Sequence, residues 1–269
     1  MTAATATVLM IVVVVAGVTG GWFVDVAGHA GWWGRRSRET AAAAVAGFGG
    51  LIYSVAFATP VFTGLYAITR AGAGRRIEAV WDRLPGAVVF VVAYVLWDAA
   101  AYAHHRFCHT TRFGWATHAP HHTGTRFNLS LALRQSWTSI QPVAPAVVMG
   151  LCGVPLPTAA AVSVVSNAHQ AFQHLGRCPR LPRLVDAAFM TPASHRVHHE
   201  AGAAGRAENL GASLTVWDRV FRTWQPEPGT GPIGNDDRTA TNPFAAQLTG
   251  WRRSYAALRY FASATQNRP

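Results

Sequence analysis

Apolar runs long enough to cross a bilayer alternate with short arginine-rich connections through the first hundred residues. Residues 5–24 form the first run; a hydrocarbon core of about 30 Å calls for about twenty such residues in a helix. It has neither a basic leading segment nor a small-residue cleavage site, so it reads as an anchor and not a signal peptide. Residues 40–68 form a second run, broken by Gly49, Gly50 and Pro60, and residues 86–102 a third. Arg35, Arg36 and Arg38 separate the first two, and Arg70, Arg75, Arg76 and Arg83 the second and third. Within the latter, residues 75–83 predict a short interfacial helix. Residues 139–168 are again apolar but carry Pro142, Pro145, Pro155 and Pro157. At about 1.5 Å per residue this stretch is short for two full crossings. It predicts a tight helical hairpin turning near residues 153–157. A Pro/Gly/Asp-rich loop at 225–242 precedes a last predicted helix over 243–262. There Phe244, Leu248, Trp251, Tyr255 and Leu258 recur at helical spacing. That helix reads equally as lying on a membrane surface or as packed on the soluble part of the same domain.

Composition sharpens this picture. Half of the 269 residues are hydrophobic and only 13% are charged, against about 25% in ordinary soluble domains. Lipid is therefore part of the solvent. All 23 basic residues are Arg and the net charge is +11. The arginines stand at the ends of apolar runs and beside histidines, where anionic lipid headgroups are the natural counter-charge; nucleic acid is not an expected partner. Cys108, Cys152 and Cys178 make no disulfide framework, which agrees with a reducing compartment. The metal-binding face is expected on the cytoplasmic side of a multi-pass protein. Two basic loops flank the 40–68 run, so either one of them is translocated or the run dips and returns; both paths are open at this level.

The polar chemistry is concentrated in histidine. Of 12 histidines only His29 lies outside the interval 104–199. They fall as HRFCH (His105, His109), HAPHH (His118, His121, His122) and HRVHH (His195, His198, His199), with His169 and His174 between the last two sets. Residues three and four apart share a helix face, so each motif aims two or three imidazoles at one place. Imidazole suits iron, zinc, copper and nickel. Asp186 is the one carboxylate between His104 and His199, which rules out a carboxylate-rich centre built from Glu-x-x-His pairs. Eight to ten imidazoles exceed the needs of one ion and imply two. HExxH is absent, and haem asks for single ligands on facing helices rather than tight triplets. Thr191-Pro192 reads as an N-cap followed by Pro at the first helical position. Pro120 places His118 near a helix start.

The residues Asp98, Tyr102, His105-Arg106, His109, His118, His121-His122, Thr191-Pro192, His195-Arg196-Val197-His198-His199, Asn209-x-Gly211 and Trp217-Asp218-Arg219-x-Phe221 resemble the fatty acid hydroxylase/sterol desaturase superfamily, from Trp97 to Thr223. The pattern departs from the family at Leu210, where Tyr is common, and at Arg222, where Gly is usual. The resemblance implies an all-α integral-membrane bundle with a histidine-rich di-metal site in a helical cap at one membrane face. It implies two irons, dioxygen as co-substrate and electrons from a separate reductase, ferredoxin or cytochrome partner. The implied ligands are His105, His109, His118, His121, His122, His195, His198 and His199, with His174 and His169 from the middle segment.

One domain is expected over 1–269. N-terminal spans occupy 1–103, the histidine core 104–224 with its hairpin near 139–168, and a loop and amphipathic helix 225–269. Asp98 is expected to orient a ligand imidazole, Tyr102 to support it one turn on, and Asn209 with Asp218 to tie the following segment under the metals. Arg106, Arg134 and Arg196 read as headgroup partners or as solvating the membrane edge. The expected activity is hydroxylation of a lipid C–H bond, a fatty acyl chain or a sterol among the candidates, with desaturation as the alternative. A histidine-rich membrane metal carrier is the reading from another class.

Overall fold

The computed structural model describes residues 35–176, 181–201, 207–226, 229–234 and 238–252. The run at 5–24, His29, Cys178 and the end of the predicted last helix lie outside them. The described residues are helical, with no strand; two isolated bridges pair Phe189 with Leu214 and Glu200 with Ile233.

The second apolar run does not dip and return. Helix α1 (Arg35–Tyr53) passes through a π-helical turn, Ser54–Ala58, into α2 (Thr59–Gly72). From Arg38 to Gly72 this gives 35 helical residues with an apolar composition suited to a membrane, about 52 Å of helix. Pro60 does not break it, because Pro is accepted in the first turn of α2, and the π turn just before it absorbs the change of register. The connection that follows holds a 3₁₀ turn (Gly74–Arg76) and α3 (Glu78–Trp81), where the sequence predicts a short helix. Arg70 pairs there with Glu78.

Helix α4 (Gly86–Thr110) is the second long apolar helix and carries HRFCH on its last turns without interruption. Next come α5 (Arg112–His118), α6 (Val143–Leu151), α7 (Leu156–Phe172), α8 (Arg183–Ala188), α9 (Pro192–His198) and α10 (Val216–Val220). Residues 243–252 are also helical. Helices α6 and α7 form the expected hairpin, turning at residues 152–155, where Gly153 has φ +60°. Its lengths of 9 and 17 residues correspond to about 13 and 25 Å, less than a full crossing.

The hairpin packs against α2 and α4. Tyr66, Ala93, Trp97, Met149, Val154, Ala159 and Val162 form the core between them. Backbone groups at a hairpin tip have no helical partner and are expensive to leave bare in an apolar medium. Here the Tyr66 hydroxyl donates to the Val154 carbonyl at 2.6 Å and the Trp81 indole to the Cys152 carbonyl at 2.8 Å. Gly150 lets the hairpin lie against α2, since a Cβ there would run into Thr69 and the Tyr66 carbonyl. Phe48, Leu51, Val55, Phe57 and Ile68 of the α1–α2 helix and Val88, Val91 and Val92 of α4 stand exposed, an apolar outer surface larger than isolated surface hydrophobics account for.

At the end of the bundle away from the hairpin tip, α4 and α7 deliver their histidines to a cap of short helices and loops. Arg134 fixes this cap. Its guanidinium donates to the Thr123 hydroxyl (3.1 Å) and to the carbonyls of Glu39 (2.9 Å) and Ala240 (2.6 Å), 4.0 Å from the Glu39 carboxylate. Glu39 in turn accepts from the Thr125 backbone N–H and hydroxyl. Arg134 is thus an interior clasp and not a membrane-edge cation. Three acceptors far apart in sequence make its burial tolerable.

Candidate metal centre

Nine imidazoles converge in the cap as two adjoining groups. His105, His109, His118, His122 and His198 form one; His121, His174, His195 and His199 form the other; within each, all ligand atoms lie within 4.8 Å of one another. The motifs interleave. Consecutive helical residues diverge by about 100°, so HAPHH sends His118 and His122 to the first group and His121 to the second. HRVHH likewise sends His198 to the first and His195 and His199 to the second. The rings of His122 and His199 stack at 4.5 Å where the groups meet.

Local sequence explains the presentation. Thr191 and Ser194 form a capping box and Pro192 opens α9, which sets the turn bearing His195, His198 and His199. His118 differs from expectation: it ends α5 and caps the 3₁₀ turn Ala119–His122. Pro120 has no N–H to extend the α-helix, so the chain tightens there and gives His122 to the first group and His121 to the second.

Backbone carbonyls fix the tautomers. His105 Nδ1 donates to the Leu210 carbonyl at 2.8 Å, His174 Nδ1 to that of Gln170 at 2.7 Å and His198 Nδ1 to that of Glu208 at 3.0 Å. A carbonyl only accepts, so in these rings the proton is on Nδ1 and Nε2 is a bare lone pair. The Nε2 atom of His174 nonetheless faces those of His121, His199 and His195 at 3.2, 3.2 and 3.1 Å. In the first group, Nε2 of His118 lies 3.2 Å from those of both His105 and His122. His198 Nε2 is buried without a hydrogen-bond partner. Buried imidazole nitrogens gathered this closely make a donor set suited to a metal ion. Nitrogens bound at about 2.05 Å to one ion stand roughly 2.9 Å apart at octahedral right angles and roughly 3.3 Å apart at tetrahedral ones, so the observed spacings fit.

The protonation states agree. Burial, reinforced by neighbouring imidazoles, holds His118, His121, His122, His195 and His199 well below the ordinary histidine value. Burial also lowers His198, and His174 is brought down to about 4. All are neutral near pH 7, the form that binds metal.

The remaining candidates support the site. His169 lies outside both groups, its Nε2 hydrogen-bonded to the Met190 carbonyl at 2.8 Å. His104 sits beside Cys108 Sγ at 3.3 Å, also outside the groups. Asp98 is buried but orients no imidazole: its Oδ2 accepts from the Leu214 N–H (3.1 Å) and the Trp217 indole (2.9 Å). It anchors the 213–217 segment to α4. The Tyr102 hydroxyl meets Thr223 Oγ1 at 2.9 Å and accepts from Arg106, and its ring stacks on Phe221. Asn209 has φ +49°. Its amide donates to the carbonyls of Ser194 and Gln225 and accepts from the Gln225 N–H. Asp218 accepts from the N–H groups of Leu210 and Gly211 at 2.7 and 2.8 Å and from the Thr223 hydroxyl at 2.6 Å. Asn209 and Asp218 therefore set the segment whose Glu208 and Leu210 carbonyls orient His198 and His105.

Two aromatic contacts were not predicted. Trp115 packs on His109 and His122, and Phe127 on His174, His195 and His199, with Arg196 over the Phe127 ring. Their proximity to HRFCH and HAPHH is the only signal the sequence offers.

A cavity of about 320 Å³ opens beneath the imidazoles. His105, His118, His121, His174 and His195 form one wall, and Tyr53, Ser54 and Ala58 at the π turn another. His105 and His118 are partly exposed, and both line the cavity.

Residues 90–223 match the family model described as fatty acid hydroxylase, nearly the interval over which the motifs run. The alkylglycerol monooxygenase of Danio rerio is 33% identical over 172 residues, 59% of this chain and 36% of the relative. That of Homo sapiens is 32% identical over 138 residues, 48% and 29% of the two chains. The ornithine lipid hydroxylase OlsE of Rhizobium tropici is 29% identical over 171 residues, 62% and 51%. The chain thus spans about a third of the length of the alkylglycerol monooxygenases and about half that of the ornithine lipid hydroxylase. No solved structure matches it.

Proposed function

Because the chain belongs to the fatty acid hydroxylase/sterol desaturase superfamily through residues 90–223, we propose that it is an integral-membrane di-iron oxygenase that hydroxylates a C–H bond of a lipid. The observation that carries this reading is the double convergence of neutral imidazoles on a cavity reaching the apolar helices. His105, His109, His118, His122 and His198 would hold one ion, and His121, His174, His195 and His199 the other. Bound iron would supply dioxygen activation and the removal of hydrogen from an unactivated C–H bond.

The chain's own groups do the rest. The carbonyls of Glu208, Gln170 and Leu210 keep the ligand lone pairs aimed inward. Trp115 and Phe127 cover the imidazoles from the cap side. The two long apolar helices and the α6–α7 hairpin hold the cavity at the membrane boundary, so an alkyl chain enters from lipid while electrons arrive from water. The electrons come from a separate donor, a reductase with ferredoxin or a cytochrome. The cap lies on the cytoplasmic face.

Desaturation, open from the sequence, is not favoured: the relatives are named as a monooxygenase and a hydroxylase. The same names set aside a metal carrier. The test is metal analysis of the purified protein together with turnover under ¹⁸O₂ with reductant and lipid extract. The expected result is two nitrogen-ligated metals per chain and one labelled oxygen atom in a lipid product. A single metal, a sulfur-rich shell, or a hydroxylated product without label overturns the proposal. Zinc in a recombinant sample does not, since zinc occupies the same ligands readily.

A further inference from the structure

We infer that the edge of the cap formed by α8 and α10 is sunk in the phospholipid leaflet beneath it, a further lipid contact beside the long helices and the hairpin. The inference rests on the integral-membrane part of the proposed function and not on its chemistry. Depth carries it, because the segment 214–223 runs side by side with α4 rather than above it. Asp98 accepts from the Leu214 N–H and the Trp217 indole. One turn on, the Tyr102 ring stacks on Phe221 at 5.3 Å. One turn further, the Arg106 guanidinium lies 5.7 Å from the centre of the Phe221 ring. Measured along α4 from Gly86, its first residue after the arginine-rich connection, Asp98 stands about 18 Å in and Arg106 about 30 Å. A hydrocarbon core of about 30 Å therefore ends near Arg106. Helix α10 lies alongside the last 12 Å or so of it.

The outward residues suit that depth. Trp217 is bonded to Asp98 and Asp218 is buried, while Val216, Val220 and Phe221 are 43, 61 and 51% exposed. Helix α8 is joined to this edge: Thr215 donates through its N–H to the Ala188 carbonyl and through its hydroxyl to that of Ala187, and Phe189 bridges to Leu214. It adds Leu184 and Phe189, 85 and 40% exposed. These five side chains continue the uncovered apolar surface of α4, where Val95 and Phe107 are exposed. An apolar patch of this kind marks a protein or a membrane partner, and at this depth the partner is lipid. Exposed Arg183, Arg219 and Arg222 accompany it, against one half-buried carboxylate, Asp186. Arginine stems can lie along acyl chains while their heads reach headgroup phosphates. The contact also bears on the metal centre. Asp218 accepts from the N–H groups of Leu210 and Gly211, and the Leu210 carbonyl orients His105. Helix α10 thus stands between the leaflet and the segment that holds the first histidine group.

The experiment uses the unaltered full chain in nanodiscs of phosphatidylcholine that carries a photoactivatable diazirine on its acyl chain. After illumination, lipid-bearing residues are mapped by mass spectrometry. Residues 184–189 and 216–221 are expected to carry lipid along with α1, α2 and α4, and residues 229–234 on the far side of the cap are not. Lipid on α1, α2 and α4 but none on α8 and α10 overturns the inference and leaves the membrane reading intact; no lipid on α4 either overturns both. A second measurement places spin labels at Val220→Cys and Leu184→Cys, with Cys152→Ser and Cys178→Ser and the buried Cys108 left in place. The labels should be relaxed by dissolved oxygen and lose relaxation by a water-soluble nickel chelate, as at Val92→Cys on α4. Relaxation by the chelate puts this edge in water and overturns the inference. Shielding from both reagents marks a protein partner, a second copy of the chain included, and overturns it as well.

Discussion

Asn209 offers the sharpest test of how the centre is held. It combines a left-handed backbone with three side-chain hydrogen bonds, to the Ser194 carbonyl and to both backbone groups of Gln225. Asn209→Ala removes all three bonds, at about 0.5–1.5 kcal/mol each. Its Cβ stands at positive φ as that of Asn209 already does, so no new clash is added there. The expected destabilisation is about 1.5–4.5 kcal/mol. Asn209→Gly loses the same bonds without the steric penalty and should recover about 1–2 kcal/mol of the difference. Asn209→Asp keeps the backbone and the acceptor but turns a carboxylate toward two carbonyls. The neighbouring carbonyls of Glu208 and Leu210 orient His198 and His105, both of the first group. Losing that orientation should lower metal affinity there about tenfold to a hundredfold. Denaturant unfolding in detergent gives the stability series, and metal content under graded chelator gives the affinity. The expected result is early release of one metal from Asn209→Ala with the second retained. If both metals leave together at the wild-type chelator concentration, or Gly and Ala are equally unstable, the reasoning fails.

His198→Ala should abolish turnover and lower metal content while leaving expression and helix content near normal, because its ring packs against the other imidazoles of the site; near-normal turnover refutes its assignment. Metal-depleted protein should weaken in acid: the ligand histidines are held below their unfolded value near 6.5, so protons bind the unfolded chain first as the pH falls. Their contribution is complete above about pH 6.5 and is lost toward the folded value, about 4 for His174, at up to about 1.4 kcal/mol per pH unit for each ring. Denaturant midpoints at pH 7.5 and 5.5 check this, and a higher midpoint at 5.5 contradicts it. Arg134→Met should destabilise by about 3–5 kcal/mol, because it strands the buried Glu39 carboxylate. Adding Glu39→Gln should restore part of that loss in the same unfolding assay.

The histidine motifs were legible because HxxxH and HxxHH convert directly into helix faces, and the apolar runs because bilayer thickness sets their length. The proline-marked hairpin was legible for the same reason. The division of HAPHH and HRVHH between two groups was not, since the split of His121 from His122 depends on the 3₁₀ turn at Pro120. Asp98 carried the signal of a carboxylate near an apolar helix, which marks it as important without naming its partner; that partner, Trp217, lies 119 residues away. Arg134 misled, because arginine near an apolar run ordinarily faces headgroups. Only the fold brings residues 39, 123 and 240 around it.

The carbonyl contacts also carry a consequence for biogenesis. His105 and His109 leave the ribosome early, on a helix that can enter the bilayer as soon as it is made. The Leu210 carbonyl that orients His105 follows 105 residues later, and the Ala240 carbonyl that satisfies Arg134 later still. Until then α4 displays imidazoles whose tautomers are free, beside a cap that cannot close. Translation thus proceeds through an interval in which the membrane part is inserted while the metal ligands remain open to the surrounding solution. On the proposed di-metal reading, the ion that enters first would be chosen by local supply as much as by the finished geometry.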